Sequence, residues 1–79
     1  MRPVLIFSGD SRQTESLAHV LGLDPMKYRH VFDVNDLYGQ QGVMMLWGTW
    51  NGRKDADIIM EVARKRCLQM LHIDDGFLR

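Results

Sequence analysis

A single cysteine among 79 residues excludes an internal disulfide. Cys67 and the scattered His19, His30 and His72 offer no zinc-ligand spacing either, so no metal or cofactor is expected. No apolar run approaches the roughly 20 residues of a membrane span. The opening stretch is too short for a signal peptide and lacks a cleavage pattern, so the expected location is the cytoplasm. Neither sign of charge is in excess: ten Lys and Arg balance ten Asp and Glu. That balance argues against nucleic acid or anionic membrane as the main partner. The only basic clusters are Arg53-Lys54 and Arg64-Lys65-Arg66, and the simplest reading is a solvated helix end, the alternative being a phosphate-binding patch.

The chain reads as one domain over residues 1–79. At about 60 residues a domain buries only about 60% of its unfolded surface, and small domains often gain support from assembly. With disulfide and metal set aside, self-association or a protein partner is the expected support.

Two unbroken apolar runs carry the fold, Val4-Leu5-Ile6-Phe7 and Val43-Met44-Met45-Leu46-Trp47. Runs without alternation mark strands covered on both sheet faces. After the first, Asp10 is placed to cap a helix over Ser11 to Leu21, with Gln13 completing a capping box and Gly22 ending it. After the second, Asp55 or Asp57 caps a helix running to about Cys67, whose thiol is expected to pack. Arg29 to Val34 and Leu68 to Ile73 alternate, as edge strands do. Asn35 to Gly39 reads as a tight turn or one helical turn.

The expected class is α/β: a minimal Rossmann-like β-α-β-β-α-β domain with a mainly parallel sheet, order 2-1-3-4, and one helix on each face. The link between strands 2 and 3 is the difficult point. About seven residues span at most about 23–25 Å, against roughly 20 Å for a parallel return. An antiparallel second strand is the alternative, and Leu37 is placed to tuck beneath the sheet if the return is parallel.

One helix covers about two strands, so roughly half of each face is expected to stay open. Phe32, Val34, Met70 and Leu71 are the apolar edge residues that would form a contact surface. The order also places a switch point between strands 1 and 3, where open parallel sheets bind ligands. Ser8, Gly9, Asp10, Ser11, Thr49, Trp50 and Arg53 would line it, with backbone amides for an anion, Arg12 and Arg53 for charge and Trp50 for stacking on a base. The simpler reading makes Asp10 a cap, the glycines turn residues and Trp47 and Trp50 packing residues.

Catalytic motifs are missing. Gly-x-Gly-x-x-Gly does not follow strand 1, and Asp55 stands where a phosphate-binding loop needs Ser or Thr. Neither Ser8 nor Ser11 sits in a nucleophile elbow. Asp33, Asp36, Asp74 and Asp75 read as solvated turn residues rather than cation ligands.

Strand-turn-helix, then Asp36-Leu37-Tyr38-Gly39, an apolar strand, Gly48-Thr49-Trp50 and Arg53-x-Asp55-Ala56-Asp57-x-Ile59, resembles small Rossmann-like proteins encoded by actinobacterial phages. The resemblance covers nearly the whole chain and implies a fold and a phage context rather than an activity. The resulting expectation is a non-enzymatic accessory protein in the cytoplasm of a bacterial host, self-associating or binding a host or phage protein. The alternative is a binder of a small anion, such as a nucleotide, at the switch point.

Overall fold

The computed structural model describes residues 3–40 and 42–73. Four strands form one sheet: β1 Val4–Phe7, β2 Tyr28–His30, β3 Val43–Trp47 and β4 Gln69–Ile73. Their order is β2-β1-β3-β4 and every pairing is parallel, so the second strand is parallel. The two unbroken apolar runs are the two central strands, where each strand is covered from both sides.

Helix α1, Ser11–Leu21, and helix α2, Ala56–Lys65, lie on opposite faces. Leu17 of α1 packs with Ile6 and Trp47. Ile59 and Ala63 of α2 pack with Leu5, Phe7, Met44 and Leu46. Alternate residues along the central strands therefore feed two cores, as a pleat with period two requires.

The expected boundaries of the second strand need correction. β2 stops at His30 instead of reaching Val34. Asp33 caps a 3-10 turn over Val34–Leu37: its carboxylate accepts from the Asn35 N–H at 2.9 Å. The Asp36 carboxylate reaches back to the N–H groups of Phe32 and Asp33, at 2.7 and 3.2 Å. A side chain that offers the backbone local acceptors draws it out of the sheet ladder. The connection thus runs over residues 31–42, which meets the dozen or so residues a parallel return needs.

That turn also corrects the expected coverage. Leu37 is fully buried against the α2 core together with Val31. The turn therefore fills the part of the α2 face that a single helix leaves open. Among the described residues no equivalent piece covers the other face over β3 and β4, where Met45 pairs with Leu71 and Trp47 with Ile73. Leu71 remains 39% exposed there.

The end of α2 is the third correction. The helix stops at Lys65. Cys67 takes a left-handed conformation, φ 58°, and is exposed rather than packed. The Leu68 N–H returns to the Ala63 carbonyl at 3.0 Å, the closing bond of a left-handed helix stop. No helix among the described residues is long and apolar enough to cross a membrane.

Candidate functional site

The loops after β1 and β3 meet at the switch point, and a side chain from α1 occupies the meeting place. Asp10 caps α1 by accepting from the Gln13 N–H at 2.9 Å. The Gln13 side chain does not close a box on Asp10. Its amide oxygen accepts from Gly9 N–H at 2.8 Å and Thr49 N–H at 3.0 Å, and its nitrogen donates to the Thr49 hydroxyl at 3.1 Å. Two backbone donors, one from each loop, thus converge on one neutral oxygen.

The glycines make room for this contact. A side chain at Gly9 would collide with the Thr49 hydroxyl, and one at Gly48 with the Gln13 amide. Gly48 also has φ 65°, a region that costs other residues about 1–2 kcal/mol.

Arg53 lies beneath the same loops with its side chain only 14% exposed. Its Nε and one Nη grip both oxygens of Asp55 at 3.0 Å. The remaining donors go to the carbonyls of Ser8 at 3.2 Å, Val31 at 2.7 Å and Phe32 at 2.5 Å. A guanidinium has five N–H donors, and all five are engaged. The guanidinium carbon also lies over the Phe7 ring, 4.8 Å from its centre. Arg53 therefore ties the ends of β1 and β2 to the start of α2, and in this arrangement it has no donor left for a ligand.

A buried polar line runs across the other side of the β1 loop. The Ser8 hydroxyl donates to the Asp10 carbonyl at 2.7 Å. Its proton is then committed, so Ser8 accepts from the Thr14 hydroxyl, also at 2.7 Å. Thr14 in turn accepts from His30 Nδ1 at 2.6 Å. A carbonyl can only accept, so this order is the one that satisfies all three bonds. It fixes His30 with its proton on Nδ1. Burial lowers the His30 pKa first and the Arg53 charge lowers it further, against smaller opposing effects of Asp36 and Asp10. Protons point away from His30 along the line, the reverse of a base that activates a serine.

The other expected ligand residues fall into place around this frame. Ser11 is exposed at the start of α1. Trp50 leans on Phe7 and His72, with ring centres 5.9 and 5.7 Å away, and packs against the α2 core. Of the expected contact residues, Val34 and Met70 also pack against that core. Phe32, two residues past the end of edge strand β2, and Leu71, on the opposite edge strand β4, stand exposed. Among the described residues no group of three or more His, Cys, Asp or Glu side chains converges to hold a metal. Asp33 and Asp36 are helix caps, and Asp74 and Asp75 lie outside the described residues.

Sequence reasoning missed the roles of Gln13, Thr14 and His30. Gln13 at the third helical position was a legible signal, but its partner lies 36 positions away, on Thr49. No family model matches the chain, and no curated protein or solved structure matches it.

Proposed function

We propose that this chain is a small non-enzymatic interaction protein that self-associates or binds a protein partner through apolar residues its sheet leaves uncovered. The observation that carries this reading is Phe32. Its N–H is held by Asp36 and its carbonyl by Arg53, yet the side chain is 66% exposed. The ring is further oriented by an edge contact with His30, 4.6 Å between centres. A pre-oriented exposed aromatic loses little freedom on binding and suits an interface anchor. The internal engagement of Gln13, Arg53 and Ser8 supports the same reading, since the polar groups at the switch point already have partners in the chain. The likeness to phage-encoded proteins would make the partner a host or phage protein in a bacterial cytoplasm.

Phe32→Asp tests it. The variant should melt near the parent temperature, because the ring adds little to the core. It should lose self-association, or capture of the partner that the parent retains. Unchanged association and capture would overturn the proposal.

A second reading, a nucleotide or similar anion at the switch point, draws on the paired Gly9 and Thr49 donors. It requires Gln13 to swing away and give those donors to an anion oxygen. A nucleotide panel that leaves the melting temperature unmoved at millimolar concentration would argue strongly against it.

A further inference from the structure

We propose that Arg66, resting over Tyr38 and flanked by Lys65 and Gln40, forms an oxyanion-binding site at the end of the molecule where α2 stops. Independently of the interaction reading, two arginines of the chain are engaged in opposite ways. Arg53 has all five donors engaged by the chain itself. Arg66 is exposed, and its guanidinium makes no hydrogen bond or ion pair among the described residues. Its guanidinium carbon instead sits over the Tyr38 ring, 4.7 Å from the centre. A guanidinium resting on a ring, with no hydrogen-bond partner among the described residues, keeps its N–H donors for a ligand, and such a fork matches a carboxylate or phosphate.

Both partners are anchored at the backbone. The Arg66 N–H bonds the Val62 carbonyl at 3.0 Å, and the Tyr38 N–H bonds the Asn35 carbonyl at 3.3 Å. Between them opens a depression of ≈ 570 Å³ lined by Tyr38, Gln40, Val62, Lys65 and Arg66. That lining holds two cations, an amide and no carboxylate. Lys65 pairs with Glu61 at 3.3 Å, but both side chains are largely exposed, so the pair is weak and Lys65 can turn to an anion. The ligand class is therefore an oxyanion, phosphoryl or carboxylate, small enough to enter an open depression.

The test is an NMR titration of the whole chain with inorganic phosphate and, separately, with acetate, at constant ionic strength held by chloride. The proposal predicts saturable shifts at the Arg66 Nε–H and the Tyr38 ring, absent in Arg66→Ala and much reduced in Arg66→Lys. The lysine keeps the charge and loses the planar fork, so it separates recognition from simple attraction. Saturation by phosphate at lower concentration than acetate assigns the phosphoryl class, and the reverse assigns the carboxylate class. Linear shifts without saturation, or equal shifts at Arg12 and Arg29, would overturn the proposal. Saturation at Gly9 and Thr49 in place of Arg66 would also overturn it.

Discussion

The Gln13 amide oxygen accepts from the Thr49 N–H at 3.0 Å, joining the first turn of α1 to the loop after β3. It accepts from Gly9 as well, so one side chain closes the place where a parallel sheet of this order would take a ligand. Gly48→Ala should disturb this closure twice, through its left-handed backbone and through collision with Gln13. A loss of roughly 2–3 kcal/mol is expected, about 1–2 from the backbone and about 1 from hydrogen bonds. In a Gln13→Ala background the same substitution should cost about 1 kcal/mol less, because the collision is gone. Urea unfolding of the four proteins in the cycle reads this coupling, and strict additivity would show that Gln13 does not occupy the notch in solution.

Arg53 is predicted to be the most sensitive polar residue. Arg53→Lys keeps a charge but cannot reach three carbonyls and Asp55 together. A loss of about 2–4 kcal/mol follows from the carbonyls left without donors. Equilibrium unfolding measures it, and a loss below about 0.5 kcal/mol would assign Arg53 to a surface role.

His30 makes a spectroscopic prediction. Its neutral ring should carry the proton on Nδ1, visible in the nitrogen shifts of the imidazole. Its pKa should lie below the ordinary histidine value of 6.5, with burial as the main cause. A depressed histidine pKa means that the unfolded chain binds the proton more readily. The His30 contribution to stability is therefore complete above the unfolded pKa and is lost as pH falls from there through the folded value. His30→Asn, whose side-chain N–H can replace the Nδ1 donor, should remove this part of the acid loss while retaining the bond to Thr14. An Nδ1 without a proton in the neutral ring would contradict the order of donors along Ser8, Thr14 and His30.

Cys67 occupies a left-handed position that glycine fills without strain. Cys67→Gly should stabilise the chain by about 1 kcal/mol, read as a higher urea midpoint at unchanged slope. A neutral or destabilising result would mean that the side chain compensates the strain through packing.

Much of the fold was legible because its signals are local. The runs Val4–Phe7 and Val43–Trp47 fall on the central strands, and Asp10 and Gly22 bound α1 where capping chemistry places them. Strand order and the burial of Leu37 followed from connectivity and chain length. The end of β2 was not legible in the same way. Val31 to Val34 alternates like a strand, but Asp33 and Asp36 offer the backbone a competing set of acceptors. The helix stop at Cys67 was hidden because no glycine marks it. The candidate site was legible only in its place. Which donors remain open depends on contacts such as Arg53 to Val31, far apart in sequence, and no local pattern encodes them.

Native mass spectrometry of the purified chain, beside a Phe32→Asp and Leu71→Asp double variant over a range of concentrations, tests the central claim most directly. The interaction reading predicts a second copy or a co-purifying protein on the parent chain, and a bare monomer for the double variant. A parent that flies as a bare monomer at every concentration, or that retains only a small molecule, would contradict it.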